Sequence, residues 1–290
     1  MATIVWLLLI LMNNQSTNAA IRFLVPGNDK PVYFASQGGA EAQLSINAKF
    51  EDVEVPICDA RILDVPTTLD REGFELHEHH TAIGNFYDIE NQQTAYAEEL
   101  KKLVLPIVGA KALHVFDHTL RSDSADIREA HKTREAAAIV HNDYTIASAR
   151  KRVRDLLGDD KAEKIFESRF AIVNVWRSIA GPVFQSPLTC CDAQSVNEEN
   201  IFASERRAQD RIGELELVSH NPAQKWFYFP EMENSEVLLI KTFDSTSDGR
   251  ATRSIHTAFK NPLAPKDAPP RESMESRMLV FFFLDNHSRK

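Results

Sequence analysis

The sequence predicts a mainly β fold with helical additions. Short stretches rich in β-branched and aromatic residues recur along the chain, and turn-forming pairs such as Pro26 with Gly27 and Gly38 with Gly39 bound them. Helical periodicity is confined to two longer segments, and the glycine patterns of Rossmann and P-loop folds are absent. This mixture favours a β-sandwich or barrel decorated with helices over an alternating parallel βαβ sheet.

The first half of the chain alternates predicted strands with one helix. Strand character appears at 21–25, 31–34, 53–63 and 112–117. Between them, Tyr96 and Leu100 fall at helical spacing and predict a helix over 93–108. Residues 129–135 are polar and predict a loop or short helix, and the apolar run at 136–140 predicts a buried strand.

The second half begins with a helical segment and continues almost entirely as strands. Residues 147–167 show helical spacing, and Gly158 predicts a break inside them. Strand-like runs follow at 170–179, 225–230, 236–243, 253–259 and 277–284. We therefore expect a single domain over 21–290 with a helical insert near 146–168.

Composition limits the classes of partner. The 290 residues carry a formal net charge of -9, and a chain without a dense Lys/Arg block is a poor partner for nucleic acid or an anionic membrane. Cys58, Cys190 and Cys191 lack a CxxC spacing, and adjacent cysteines rarely bridge each other. A small-molecule partner and a reducing compartment, the cytoplasm, are the simpler expectation.

Residues 1–20 form an apolar N-terminal segment outside the predicted domain. The run at 4–12, followed by Ala19 and Ala20, resembles a secretory signal peptide cut after Ala19, but the first basic residue is Arg22. The run is also too short to cross a bilayer. A loose tail and a signal-like segment both stay open, and secretion is the alternative to a cytoplasmic location.

An imidazole and a carboxylate, His141 and Asp143, follow the apolar run and allow two interpretations. Asn and Asp commonly end a strand in a turn. In an extended segment, however, residues i and i+2 point to one side, so both side chains can bind one metal. His256, in the strand-like RSIHTAF, is the best third ligand, because two His and one carboxylate suit ferrous iron. Alone, His256 is equally typical of a hydrogen-bonded core histidine.

The last predicted strand opens with Arg271, Glu272 and Ser273 after a proline-rich loop. Many 2-oxoglutarate enzymes use an Arg-x-Ser pair at this place, where the guanidinium forks onto the distal carboxylate of the co-substrate and the hydroxyl adds a second donor. Arg277 is the rival, since alternate residues of a strand share one face. The presence of Ser273 favours Arg271, and Arg277 then pairs with Glu275 or contacts substrate.

These motifs together carry a resemblance to a known family. From about Arg22 onward the sequence resembles the hydroxylase/desaturase family related to the cephamycin 7α-methoxylase subunit and the fungal gibberellin desaturase. The matching segments are GFEL, VFDHTLR, VHNDYT, NVWRSIAGPV, PLTCCD, FDSTSDGRATRSIHTAF and APPRESMESR. The resemblance implies a double-stranded β-helix (jelly-roll) core with iron bound by His141, Asp143 and His256. It also implies 2-oxoglutarate and O2 as co-substrates, and hydroxylation or desaturation of a small natural-product intermediate in secondary metabolism.

Other side chains are candidates for substrate contact or for a second metal. Tyr144 and Thr145 adjoin the proposed ligands, and Arg177 is expected to point into the barrel. The His-rich stretch at 75–80 is expected to be a solvated loop. The HVFDH stretch reads as a strand, where i and i+4 lie roughly 13 Å apart, too far to share an ion. Arg121, just beyond it, is a candidate for the cavity wall.

Two other classes of function stay open on the sequence alone. A metal-dependent hydrolase or isomerase on a barrel would need a general base near the metal and no arginine for 2-oxoglutarate. A non-catalytic binding barrel would keep the fold and bind iron without turnover. The presence of all three candidate ligands disfavours the binding barrel, because folding alone does not require them.

Overall fold

The computed structural model describes residues 16–43, 45–208 and 211–283. Its strands are β1 (Ser16–Leu24), β2 (Val32–Phe34), β3 (Ser45–Ile46), β4 (Phe50–Asp59), β5 (Phe74–Glu78), β6 (Ala112–Ser122), β7 (His141–Asn142), β8 (Phe170–Ser178), β9 (Leu188–Cys191), β10 (Ile201–Arg207), β11 (Ile212–Val218), β12 (Trp226–Tyr228), β13 (Glu236–Asp244), β14 (His256–Ala258) and β15 (Glu272–Phe281). Its α-helices are α1 (Ile89–Val108), α2 (Ala125–His131), α3 (Ile146–Leu157) and α4 (Asp159–Phe166).

The described strands form two sheets. One sheet has the order β1-β4-β12-β9-β14-β7-β11-β10-β2-β3, and the other has the order β5-β13-β8-β15-β6. The pairings β2–β10 and β4–β12 are parallel, and the other pairings of the described strands are antiparallel. The predicted mainly β fold with helical additions is confirmed.

The two sheets face each other across a shared interior. Phe74, Trp176 and Ile240 of the five-stranded sheet pack with Leu188 and Cys190 of the ten-stranded sheet in one apolar cluster. Phe74 and Ile240 are cross-strand partners, and such partners project from the same face of a sheet. The face of the five-stranded sheet that carries Phe74, Trp176 and Ile240 is therefore its inner face.

Helix α1 covers the outer face of the five-stranded sheet. Tyr96, Leu100 and Val104 are fully buried on one stripe of the helix and pack in the same cluster as Val173 of β8. Their spacing of four residues places them on one side of the helix. The helix ends at Gly109, whose φ of 66° is in the left-handed region that a helix C-terminus favours.

Helices α3 and α4 occupy the segment predicted as a helical insert. The chain enters α3 through a capping box, in which the Ser148 backbone N–H donates to Thr145 Oγ1 at 3.1 Å. Gly158, with a φ of 81°, separates the two helices at the predicted break. Ile165 packs in one buried cluster with Phe170 of β8, so the insert is anchored to the sheet.

Three local predictions differ from the structure. Helix α1 begins at Ile89 rather than at 93; residues 90–93 are polar, so apolar periodicity did not reveal the first turn. The run at 136–140 is not a strand; the two residues of β7 that follow it pair with β11 and β14. The stretch at 75–80, predicted as a solvated loop, mostly forms the edge strand β5, and its half-buried side chains explain the polar pattern.

Strand β1 begins at Ser16, before the predicted start of the domain at 21. It pairs with β4 along its whole length, and Ala19 is buried. The apolar run at 4–12 lies outside the described residues, whereas a cut after Ala19 would divide β1. No helix in the described ranges is both long and apolar enough to span a bilayer.

Arg177 lies on the outer face of the five-stranded sheet, so the prediction that it points into the barrel is wrong. Its Nη2 donates to the backbone carbonyls of Asn234 (2.6 Å) and His79 (3.2 Å), and its guanidinium lies over the Phe86 ring. Alternation along β8 places Trp176 inside and Arg177 outside. All nine residues of β8 are buried. The strand therefore shows no alternation of polar and apolar residues from which the inward-facing side chains could be predicted.

We expect Arg177→Met to lower the free energy of unfolding by about 2 kcal/mol, because the backbone carbonyls of Asn234 and His79 would lose a charged hydrogen-bond donor. Urea denaturation followed by far-UV circular dichroism measures this. Lys102→Met, at an exposed position of α1, serves as the control and should stay within about 0.5 kcal/mol of the unchanged protein. Equal stability of the two variants would contradict this account of Arg177.

Candidate metal centre and adjoining cavity

Two histidines meet at the centre of the ten-stranded sheet. His141 of β7 and His256 of β14 are cross-strand partners in the antiparallel pairing, and their ring centroids lie 4.5 Å apart. Both side chains are buried. The pairing of two short strands therefore joins residues that are far apart in the chain.

The Nδ1 atom of each histidine ring contacts a backbone carbonyl oxygen, which fixes the orientation of the ring. His141 Nδ1 lies 2.8 Å from the carbonyl oxygen of Ile139, and His256 Nδ1 lies 3.0 Å from that of Ser254. A protonated Nδ1 donates to such a carbonyl, which leaves Nε2 with its lone pair for a metal. Burial, with a contribution from His256, lowers the pKa of His141 to about 3, so this imidazole is neutral at physiological pH.

Asp143 completes a group of three ligand atoms. Its Oδ1 lies 3.6 Å from His141 Nε2, and one ligand atom from each of His141, Asp143 and His256 lies within 4.8 Å of the other two. Two imidazole nitrogens and one carboxylate oxygen form the donor set that suits ferrous iron and leaves positions open for other ligands. The three predicted ligands are thus brought together.

The second oxygen of Asp143 is held by the five-stranded sheet. Arg277 Nε donates to Asp143 Oδ2 at 2.9 Å, and Asn174 Nδ2 donates to the same oxygen at 2.8 Å. Burial is the largest single influence and raises the pKa of Asp143, but the charge and hydrogen bond of Arg277, with contributions from the two histidines, together hold that pKa far below its usual value. The carboxylate is therefore ionised, and its Oδ1 is oriented toward the histidines.

Arg277 is fully engaged by acidic and hydroxyl groups. Besides Asp143, its guanidinium donates to Asp117 Oδ2 (2.7 Å), Thr119 Oγ1 (2.9 Å) and Glu275. These carboxylates raise the pKa of Arg277 against the effect of burial. The alternative role from the sequence, an ion pair with Glu275, describes this geometry better than a free carboxylate receptor.

Arg271 and Ser273 have the opposite character, because they are buried donors with unused capacity. Arg271 is 3% exposed, and its Nη1 donates to the Ser186 carbonyl at 2.8 Å. Its Nε and Nη2, together with Ser273 Oγ, find no hydrogen-bond partner among the described residues. The nearest carboxylate, Asp123, lies 3.9 Å from Nη2. Buried donors without partners are costly, so this pair suits a bound carboxylate.

Of the two remaining candidates for substrate contact, one lines the cavity and the other has a structural role. Tyr144 lines the cavity beside the metal ligands. Thr145 instead caps α3, and its hydroxyl donates to Glu214 Oε2 at 2.8 Å. Sequence reasoning missed Asn174, although an amide in the middle of the buried run FAIVNVW was a usable signal.

A cavity of about 260 Å³ opens beside His141 and Asp143. Its walls come from both sheets, from α3 and from the β10–β11 hairpin; among them are Tyr33, Arg121, Arg134, Ile139, Tyr144 and Arg206. The predicted cavity residue Arg121 is therefore in the wall. A site of this size admits a small organic molecule next to the metal ligands.

Comparisons with known proteins agree with this geometry. A family model described as an oxidoreductase/YMDC permease-like domain matches residues 21–281. The hydroxylase/desaturase CTB9 of Cercospora beticola is 31% identical over 255 residues, covering 81% of this chain and 78% of the relative. The Fe(II)/2-oxoglutarate-dependent dioxygenase nvfI of Aspergillus novofumigatus is 33% identical over 188 residues, covering 64% of this chain and 66% of the relative.

A solved structure extends the likeness to the fold. The iron and alpha-ketoglutarate-dependent endoperoxidase NvfI superposes with a TM-score of 0.79 at 26% identity, covering 92% of this chain and 98% of the other. The expected jelly-roll core is confirmed by this match.

We expect Asn174→Ala to weaken Co(II) binding about 10-fold, because residues that orient a metal ligand typically contribute that much to affinity. Titration of the metal-free protein with Co(II), followed by visible absorption, measures the change. Ser204→Ala is the control, since Ser204 is also a fully buried polar residue of a strand, and its hydroxyl donates to the Pro31 carbonyl rather than to Asn174 or Asp143. Unchanged affinity in the Asn174 variant would show that Asp143 needs no such support.

Proposed function

This chain belongs to the hydroxylase/desaturase family, and on that premise we propose that it is a non-haem Fe(II)/2-oxoglutarate-dependent dioxygenase that hydroxylates or desaturates a small natural-product intermediate of secondary metabolism. One observation carries the proposal: the ligand atoms of His141, Asp143 and His256 converge within 4.8 Å. The buried donors Arg271 Nε, Arg271 Nη2 and Ser273 Oγ, which have no hydrogen-bond partner among the described residues, add a receptor for a carboxylate that a metal-dependent hydrolase does not need.

The metal ligands are His141, Asp143 and His256. Hydrogen bonds to backbone carbonyls fix both rings, and Asn174 with Arg277 fixes the carboxylate. When bound, Fe(II), 2-oxoglutarate and O2 supply the oxidising chemistry. The protein's part is to hold His141, Asp143 and His256 in fixed positions, and a metal bound by these three residues would keep coordination positions open for the co-substrates.

The distal carboxylate of 2-oxoglutarate is assigned to Arg271 and Ser273. Their three unused donors match the two oxygens of a carboxylate, and a guanidinium binds such a group in a planar fork. Arg277, the rival from the sequence, already donates to Asp143, Asp117 and Glu275. Its role in this proposal is to orient Asp143.

Substrate binds in the cavity beside His141 and Asp143, with Tyr144 in its wall. Arg177 has no part in this site. Thr145 contributes to the site by capping the N-terminus of α3, which forms part of the cavity wall. For location we retain the cytoplasm, a reducing compartment in which the free thiols of Cys58, Cys190 and Cys191 are expected.

Anaerobic addition of Fe(II) and then 2-oxoglutarate should give a weak visible charge-transfer band, because the keto acid chelates the iron. His256→Ala should abolish the band by removing one of three ligands. His80→Ala is the matched control, since His80 is an exposed histidine of the stretch at 75–80. A band that survives in the His256 variant, or disappears in the His80 variant, would refute the assigned metal site.

Arg271→Gln should raise the 2-oxoglutarate concentration for half-saturation of that band about 100-fold, because a charge-assisted fork onto the carboxylate is lost. Its Co(II) affinity should be unchanged. Arg277→Gln is the informative comparison and should show the reverse, with weaker Co(II) binding. If Arg277→Gln alone weakened 2-oxoglutarate, the two arginines would have exchanged roles.

A further inference from the structure

The cavity beside the metal ligands is basic in an acidic protein. The chain has a formal net charge of -9, yet six arginines and three carboxylate residues line this cavity among the described residues. Such a concentration of one charge in a concave site attracts ligands of the opposite charge. Only Arg277 contacts a proposed metal ligand, so the metal centre does not explain why the other arginines line this cavity.

The three carboxylates of the wall form ion pairs with only one of these six arginines, Arg277. Asp117 and Asp143 are both bonded to Arg277. Glu214 pairs with Lys30 and accepts from the Thr145 hydroxyl. The acids of the cavity are thus already committed to other partners.

Arg134 and Arg206 are the clearest uncompensated charges. Both are half-buried, and in the described ranges neither has a carboxylate within ion-pair distance. Burial lowers the pKa of Arg134, and repulsion from Arg121 and Arg206 lowers it further. Burial likewise lowers the pKa of Arg206. Half-buried charges without partners lower the free energy of unfolding. Such a cluster is therefore a candidate binding site for a ligand of opposite charge.

We propose that the substrate of this site is an organic acid whose carboxylate is bound by Arg134 and Arg206, with Arg121 beside them. The inference rests on the proposed function, because it names the substrate class of the same site. Two guanidinium groups can receive both oxygens of one carboxylate through charge-assisted hydrogen bonds. Apolar wall residues such as Ile139 and Leu215 then contact the hydrocarbon part.

A carboxylate in this cavity has two sources, the substrate and 2-oxoglutarate itself. The co-substrate has a separate receptor in Arg271 and Ser273, which are absent from the cavity wall. The two receptors are therefore distinguishable by competition.

The test uses 1-naphthoate and benzoate as acidic probes and the corresponding amides as neutral isosteres, titrated into the metal-free protein by calorimetry. We expect each acid to bind at least about 10-fold more tightly than its amide, because one charge-assisted contact is worth this much. Arg134→Gln and Arg206→Gln should each weaken the acid about 10-fold and leave the amide unchanged. A saturating concentration of 2-oxoglutarate should not displace the acid.

Arg207→Gln is the matched control. Arg207 neighbours Arg206 in β10 but is exposed, and it pairs with Glu205, so its loss should not change the affinity for either probe. The comparison of acid with amide needs no variant, and it decides the question even if a variant fails to fold.

Equal affinity for acids and amides, including no binding of either, would overturn the proposal. Displacement by 2-oxoglutarate would also overturn it, because the arginines would then hold the co-substrate. Failure of the parent function looks different: the charge-transfer band would be missing while the preference for acids remained.

Discussion

The buried ion pair between Asp143 and Arg277 is the interaction on which the site depends. Asp143 follows β7 of the ten-stranded sheet, and Arg277 lies on β15 of the other sheet, so the pair joins the two layers. Removing one partner of a buried pair typically costs 3–5 kcal/mol, because the other charge is left without compensation. The same contact fixes which carboxylate oxygen faces the histidines. Fold and metal geometry are therefore coupled through one guanidinium.

Charge is separated across the site. Around Arg277, the carboxylates of Asp117, Asp143 and Glu275 outnumber the single guanidinium, and a divalent cation beside Asp143 restores the balance. On the cavity wall the excess is positive, at Arg134 and Arg206. The proposed site for the dication and the proposed site for an organic anion thus each carry the opposite charge.

The sequence revealed the ligand types and their order but not the partners that decide their roles. His141 and His256 were predictable because HxD and a late histidine fit one known donor set. Arg271 and Arg277 lie on the same face by alternation, and only the register of β15 against β6 and β8 brings Asp117 and Asn174 to Arg277. That register depends on pairings between distant segments, which local spacing does not encode.

Metal binding and substrate binding are assigned to different parts of the scaffold, which differ in how well they are expected to tolerate substitution. The metal ligands lie on or beside paired strands in the middle of a sheet, where a shifted residue would break the centre. The cavity wall is assembled from the segment before β7, from α3 and from the β10–β11 hairpin, and such peripheral segments tolerate substitution. The relatives carry names as different as hydroxylase/desaturase and endoperoxidase. A centre held by paired strands and a wall built from peripheral segments is an arrangement in which the wall can change without disturbing the metal ligands. The proposal made for Arg134 and Arg206 accordingly assigns the choice of substrate to the wall rather than to the ligands of the metal.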